Sequence, residues 1–537
     1  MLGQMMNVPL TISTLIRHAA RNHPHAEIVS VTGDNPRHRT TMGDALQRSA
    51  QLANALVGLG IKPGDRVATL AWNDYRHFEA YFGVSGMGAV LHTINPRLFP
   101  EQIAYIINHA EDRVLMIDPM FMPLIAAIRG ELKTLEKIVV LAPADSSLDD
   151  GLVSYDALLQ GQPSTFDWPQ LDENAASSIC YTSGTTGNPK GVVYSHRSTV
   201  LHAMAAVAAD ALALSVRDAV LPVVPMFHVN AWGIPYAAAM CGCKLVFPGP
   251  KMGDGETLQD LIESENVTLA AGVPTVWLGL LQYLEKSGKS LPSLERTVVG
   301  GSACPISIMQ AFKDKYDVDT LHAWGMTEMS PVGTVNVPKR DADNLSRDDY
   351  WKLKAKQGRA VYGVEMKIVN DDGVEQPWDG KSVGNLKVRG PWICSEYYKL
   401  PGNDAHDADG WFSTGDVASI DADGFMQITD RTKDVIKSGG EWISSIELEN
   451  AALGHPAVAE AAVIGIAHPK WDERPLLIIV AKDQAPSKDE VLEYLSDKVA
   501  KWWLPDDIAF VDEIPKTATG KIQKLTLREQ FADFSFG

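Results

Sequence analysis

Eleven consecutive residues, Tyr181-Thr-Ser-Gly-Thr-Thr-Gly-Asn-Pro-Lys-Gly191, concentrate the hydroxyls of Ser183, Thr185 and Thr186, three glycines and Lys190. Glycine lets backbone N–H groups approach a ligand closely, and hydroxyls with a lysine supply donors suited to phosphate oxygens. The same composition also suits a glycine-rich surface turn, so the stretch alone leaves both readings open. It is not a Walker A loop. That motif needs a glycine five places after Gly184, where this chain has Pro189.

Further candidates lie downstream. Glu328, in Trp324-Gly325-Met326-Thr327-Glu328, would suit a magnesium ion bridging phosphates. Asp416, in Ser413-Thr414-Gly415-Asp416, can accept both hydroxyls of a ribose. Lys521 closes the turn-rich run Lys516-Thr-Ala-Thr-Gly-Lys521 near the C-terminus. Taken singly, each is also compatible with a surface turn or a solvated charge.

The elements around these residues follow from periodicity. Ser177–Tyr181 and Gly191–Tyr194 read as strands joined by the phosphate-loop candidate. An amphipathic helix is expected near Ser13–Asn22. A Thr41-x-x-Asp44 capping signal opens a second helix, which Gly60 and Pro63 stop. Arg66–Ala71, Arg113–Ile117 and Lys137–Leu141 read as strands alternating with helices at Gln102–Ala110 and Met122–Arg129, which predicts an α/β sheet with parallel pairing. Gly58-Leu59-Gly60 mimics a dinucleotide fingerprint but has Pro63 at the third glycine position, and it ends a helix instead of opening one. A second α/β run follows the loop, with strands at Ala219–Val224, Lys244–Phe247, Thr268–Gly272 and Thr297–Val299. Short strands at Glu365–Val369, Asn385–Arg389 and Asp416–Ile420, separated by Asn-Asp-Asp-Gly and Asp-Ala-Asp-Gly turns, predict a small β-barrel-like subdomain or sheet. From Lys433 the chain reads as a separate α+β module. It has a helix capped by Ser444 and Glu447, strands at Ala459–Ile466 and Leu476–Ala481, and a helix over Lys488–Lys501. The expected division is residues 1–432 and 433–537.

Composition bounds the function. At 537 residues the chain is long enough for large cores and more than one domain. With 48 basic and 67 acidic residues the net charge is −19, which disfavours nucleic acid but not a nucleotide held in a locally basic pocket. The five cysteines lack zinc spacing and read as free thiols of a reducing compartment. Neither a signal peptide nor a run of membrane-spanning length is seen, so a soluble, cytoplasmic protein is expected.

Order and spacing decide what single motifs leave open. YTSGTTGNPKG, PMFHVNAWG (Pro225–Gly233), HAWGMTE (His322–Glu328), STGD (Ser413–Asp416), DRTKDVIKSGGEWIS (Asp430–Ser444) and PKTATGK (Pro515–Lys521) together resemble the adenylate-forming family of acyl-CoA synthetases, adenylation domains and luciferases. The resemblance covers essentially the whole chain. MLGQMM, PMFHVNAWG, GGEWIS and KWDERPLL (Lys470–Leu477) look most like its medium-chain fatty acyl-CoA synthetase and 3-methylmercaptopropionate-CoA ligase branch.

The resemblance implies an ATP-, Mg2+- and CoA-dependent two-step reaction on a short- or medium-chain carboxylic acid. The acid is first adenylated with release of pyrophosphate, and CoA then displaces AMP. It assigns Thr182, Ser183, Gly184, Thr185, Thr186, Gly187 and Lys190 to the phosphates, Thr185 and Glu328 to the metal, and Asp416 and Arg431 to the ribose. Gly301, Ser302, Ala303, His322, Ala323, Trp324, Gly325, Met326 and Thr327 would wall the adenine and acyl sites, with His228 and Trp232 in the acyl channel. Lys521 would bridge the attacking carboxylate and the α-phosphate. Lys433 would be the hinge about which the C-terminal module turns, exchanging Lys521 for the CoA-tunnel loop Lys437, Gly439, Gly440, Glu441 and Trp442. Such proteins are often homodimers, and the resemblance leaves the oligomeric state open. A luciferase-like oxygenase, a carrier-loading adenylation domain and a non-catalytic nucleotide sensor share most of the motifs. A serine hydrolase does not, because Cys304 replaces the second glycine of its nucleophile elbow at Gly300-Gly301-Ser302-Ala303-Cys304.

Overall fold

Runs such as Val67-Ala-Thr-Leu70, Val114-Leu-Met-Ile117 and Ile138-Val-Val140 are apolar at almost every position, the signature of strands covered on both faces. In the computed structural model, which describes residues 1, 3–182, 188–402, 405–438, 441–482, 484–516 and 522–536 (side chains of Glu441 and Trp442 excepted), they form two large sheets. One has seven strands, in the order Val153–Ser154, Lys137–Val140, Asp112–Ile117, Arg66–Leu70, Val90–Thr93, Ala176–Tyr181 and Gly191–Ser195. All its pairs are parallel except the last, which flanks the phosphate-loop candidate. The other has nine strands, with Asp319–Gly325, Arg296–Val299, Leu269–Gly272, Ala219–Pro222, Lys244–Phe247 and Glu27–Ser30 parallel in its middle and antiparallel strands at both edges. This is the α/β architecture expected.

Local signals set the helix starts. Thr41 and Asp44 form the capping box of the helix Met42–Gly58, with Asp44 N–H donating to Thr41 Oγ1 at 3.2 Å. Asp74 caps Tyr75–Gly86, in which every residue is buried. That helix leaves no amphipathic trace, because a stripe of polarity marks only helices with a solvent face.

Glu365–Val369, Val383–Arg389, Phe412–Ile420 and Met426–Arg431 pair as a four-stranded antiparallel sheet. Among the described residues its end strands do not pair with each other, so the alternatives of barrel and sheet resolve as an open sheet.

The smaller C-terminal domain has a five-stranded sheet built on the hairpin of Val458–His468 and Asp472–Ala481, with Asp507–Phe510 parallel to the second arm. Alternation divides its apolar residues between two layers. Ala461, Val463, Leu477 and Ile479 pack with the helices Ser445–Leu453 and Lys488–Leu495, whereas Ala462, Ile464, Leu476 and Ile478 pack with Leu527. The helix expected over Lys488–Lys501 stops at Leu495. Lys498 and Val499 N–H groups fold back onto the Leu495 carbonyl, which turns Val499 and Trp503 into the domain core. No helix among the described residues is long and apolar enough to cross a membrane.

Candidate functional site

The phosphate-loop candidate leaves a two-stranded stem. Tyr181 pairs with Gly191, Thr182 N–H donates to Lys190 O at 2.9 Å, and Lys190 N–H donates to Thr182 Oγ1 at 3.1 Å. Ser183, Gly184, Thr185, Thr186 and Gly187 lie outside the described residues. Beside the stem, Tyr398 N–H donates to the Gly191 carbonyl at 2.8 Å, so the Tyr397-Tyr398 segment is tied to the loop's base.

This tie brings Glu328 to the loop. Lys190 Nζ sits 4.8 Å from the Tyr397 ring centroid, and the Tyr397 hydroxyl donates to Glu328 Oε1 at 2.6 Å. Glu328 is only 6% exposed. Its own carbonyl accepts from Cys394 N–H at 2.8 Å, and the neighbouring Thr327 carbonyl accepts from the Tyr194 hydroxyl at 2.6 Å. Burial, then the Glu328 charge, push the Tyr397 phenol well above its ordinary range, so it stays a donor. With Oε1 engaged by the phenol, the carboxylate has its second oxygen left for a hard cation. Tyr397 was not legible from the sequence, where it is one of two adjacent tyrosines outside every motif.

Asp416 and Arg431 meet because they are register partners across two antiparallel strands. Asp416 Oδ1 lies 2.9 Å from Arg431 Nε, and Oδ2 accepts from Trp324 Nε1–H at 3.0 Å. One carboxylate thus gathers residues from three of the quoted motifs. Each of its oxygens retains a lone pair for a further donor such as a ribose hydroxyl.

The Gly300–Cys304 loop is set from behind. His322 is buried, with Nδ1–H donating to the Ala355 carbonyl at 2.9 Å and Nε2 accepting from Cys304 N–H at 3.3 Å. Burial pushes this imidazole down to about 4, which keeps it neutral and able to hold both bonds. Its ring nitrogens therefore tie the loop's Cys304 amide to the Ala355 carbonyl. Gly301 stands at φ +83°, with Ser302 exposed and Ala303 half-buried next to it. On the adjoining strand Ala323 and Trp324 pair with Val335 and Thr334, and Met326 N–H donates to Pro331 O at 3.2 Å. A side chain on Gly325 would strike the Pro331 carbonyl at 2.0 Å.

The segment Pro225–Gly233 contains a short left-handed helical turn. Val229, Asn230, Ala231 and Trp232 have φ values of 46°, 51°, 49° and 57°, and Gly233 follows at 75°. The left-handed helix costs L-residues roughly 1–2 kcal/mol each, so four in succession persist only where the surroundings over-determine them. Asn73 supplies part of that. It donates to Pro222 O and Val224 O at 2.9 and 2.8 Å and accepts from Met226 N–H at 2.6 Å, clamping the chain that enters the turn. The turn presents the half-buried Trp232 to Gly300, where an added Cβ would lie 3.0 Å from the indole. His228, half-buried, stands at its start.

The segment after Arg431 is held more sparingly. Lys433 occupies an exposed turn in which Asp434 and Val435 N–H groups return to the Arg431 carbonyl at 2.8 Å. Lys437, on the strand Ile436–Ser438, lies 3.6 Å from Asp371, in the turn after the strand Glu365–Val369, and pairs in register with Trp442. Gly439, Gly440 and the side chains of Glu441 and Trp442 lie outside the described residues. So does Lys521; the described residues on either side of it, Lys516 and Ile522, form an antiparallel bridge. The helix Lys524–Gln530 is tied to Asp434 by Arg528 at 2.8 Å and to the helix Ser445–Leu453 by the buried Lys524–Glu449 pair at 2.7 Å. All five cysteines are free thiols, and the described residues contain no group of three or more potential metal ligands among His, Cys, Asp and Glu.

Comparison with known proteins agrees with this arrangement. The family described as AMP-binding enzyme matches residues 16–398, and its C-terminal domain matches residues 447–521. The chain is 55% identical, over 99% of both sequences, to a 3-methylmercaptopropionyl-CoA ligase of Ruegeria lacuscaerulensis. It is 54% identical to a medium-chain-fatty-acid–CoA ligase of Ectopseudomonas oleovorans, covering 99% of this chain and 98% of that one. Among solved structures, the anthranilate CoA ligase AuaEII in complex with anthranoyl-AMP superposes with a TM-score of 0.86 at 29% identity, over 98% of both chains.

Proposed function

The chain belongs to the AMP-binding enzyme family, and from that premise we propose how its residues divide the work of an AMP-forming acid–CoA ligase acting on short- or medium-chain carboxylic acids. The ligase class rests on the family match and on relatives of that activity spanning the whole chain. The names of those relatives make 3-methylmercaptopropionate and medium-chain fatty acids the leading substrates.

In the first step a carboxylate oxygen bonds to the α-phosphorus of ATP while the bond to the β-phosphate oxygen breaks, and pyrophosphate leaves. Thr182, Lys190 and the loop Ser183–Gly187 hold the leaving group. Glu328 and Thr185 would hold Mg2+, which when bound neutralises phosphate charge. Asp416 and Arg431 fix the ribose, with Trp324 and the Gly301–Ala303 segment beside it. Lys521 serves as a fixed cation between the attacking carboxylate and the α-phosphate, because phosphoryl-group chemistry depends mainly on positioning and charge neutralisation. In the second step the CoA sulfur bonds to the acyl carbon, AMP departs, and the thiol proton passes to solvent. Lys437, Gly439, Gly440, Glu441 and Trp442 would then line the CoA tunnel after the C-terminal domain turns about Lys433. We place the domain boundary between residues 432 and 433. The reading includes a cytoplasmic enzyme that forms homodimers.

The observation that carries the proposal is the convergence of Lys190, Tyr397 and Glu328 at the loop stem, with Asp416 joining Trp324 to Arg431. The test is pyrophosphate release with ATP, Mg2+ and CoA against acids from acetate to dodecanoate, together with 3-methylmercaptopropionate. The expected result is a maximum at short or medium length. A maximum at dodecanoate, or no release with any acid, contradicts it.

A further inference from the structure

The left-handed turn Val229–Gly233 is anchored through a single side chain from within. Asn230 is 4% exposed, and its carboxamide is bonded within the protein. Nδ2–H donates to Ser178 Oγ at 3.2 Å, and Oδ1 accepts from Cys180 Sγ at 3.5 Å, with the Tyr81 hydroxyl within reach at 3.4 Å. Ser178 and Cys180 lie on the strand Ala176–Tyr181 that runs into the phosphate loop, and Tyr81 lies on the buried helix Tyr75–Gly86. The Tyr81 hydroxyl gives its one proton to the Met226 carbonyl at 2.5 Å, so Tyr81 fixes the lead-in to the turn.

Position and residue type agree. Asparagine enters the left-handed region more readily than other residues with a Cβ, and only an amide can donate and accept at these points together. The backbone then closes on itself, with Ala231 N–H donating to Pro225 O at 3.1 Å and Gly233 N–H to Asn230 O at 3.0 Å. Gly233 is pressed against His202, whose ring an added Cβ would meet at 2.6 Å. Between these anchors Trp232 has little freedom, and its indole lies on Gly300.

We propose that Asn230 is a positioning residue for acyl selection: its buried carboxamide, held by Ser178 and Cys180, fixes the left-handed turn so that the Trp232 indole lies on Gly300 and limits the length of the acid. The inference rests on the ligase reading and adds to it a residue that touches no substrate.

The experiment measures pyrophosphate release across the acid series for the full chain and for Asn230→Gly, Trp232→Gly and the double variant. Glycine still permits the left-handed backbone, so the change removes mainly the carboxamide. Asn230→Gly is expected to shift the ratio of kcat/KM for long over short acids by about tenfold toward long ones, with KM for ATP held within about twofold. In the Trp232→Gly background the same change is expected to leave the profile unmoved, because Asn230 acts through that indole. A profile in Asn230→Gly that superimposes on the wild type, or an equal further shift in the double variant, overturns the assignment. If Asn230→Gly does not fold, Ser178→Ala removes one anchor and is expected to shift the profile the same way; an unchanged profile there overturns the inference. Failure of the ligase reading looks different, since the unmodified chain would release no pyrophosphate with any acid.

Discussion

Two regions that the proposed function assigns to one reaction are built in opposite ways. The turn Val229–Gly233 is buried and strained, and it is held by side chains from a helix and a strand of the N-terminal domain. The segment from Lys433 onward begins in an exposed turn and, among the described residues, reaches back through bonds such as Lys437–Asp371, Ser445 N–H to Asp430 at 2.6 Å and the Ser444 hydroxyl to the Thr429 carbonyl. Selecting an acid requires a wall that does not move, so strain there is tolerable. Delivering first a lysine and then a CoA tunnel to one centre requires a part that can exchange positions, and a large apolar interface would oppose that.

The contrast can be broken at either end. The largest effect is expected at Lys521→Ala, which should lower pyrophosphate release by roughly 10^2-fold or more while sparing thioester formation from supplied acyl-adenylate. Equal loss of both half-reactions would deny the lysine its separate role. Next, Gly233→Ala places a Cβ at positive φ against His202 and should cost about 2 kcal/mol or more of stability, read by denaturant unfolding. A change below about 0.5 kcal/mol would mean the turn yields. Trp232→Gly should improve kcat/KM for longer acids by about tenfold, and an unchanged chain-length profile would remove the indole from the channel. The smallest effect belongs to Lys437→Ala. Both partners of its ion pair with Asp371 are substantially exposed, so thermal stability should move by less than about 0.5 kcal/mol. A larger loss would show the C-terminal domain to be fastened more firmly than its bonds suggest.

The sequence was most informative where local chemistry repeats a rule. The capping pairs Thr41–Asp44 and Ser444–Glu447, the strands flanking YTSGTTGNPKG and the α/β alternation all have signals within a few residues. Glu328, Asp416 and Arg431 were readable because each sits in a motif of fixed order. Tyr397 was not, since its role arises from a long connection that returns to the Gly191 carbonyl. The left-handed turn was equally hidden. Apart from Gly233 its residues carry no propensity for positive φ beyond that of Asn230, and the conformation is imposed by Asn73, Tyr81 and Ser178 from distant parts of the chain. The helix Tyr75–Gly86 escaped for a third reason, because burial on every side erases periodicity.

The ligase chemistry itself is tested most directly by product balance, followed by phosphorus NMR with thioester measured in parallel. One AMP, one pyrophosphate and one CoA thioester should form for each acid consumed, with thioester strictly dependent on CoA. ADP and inorganic phosphate as the primary products, or pyrophosphate without any CoA thioester, would contradict it.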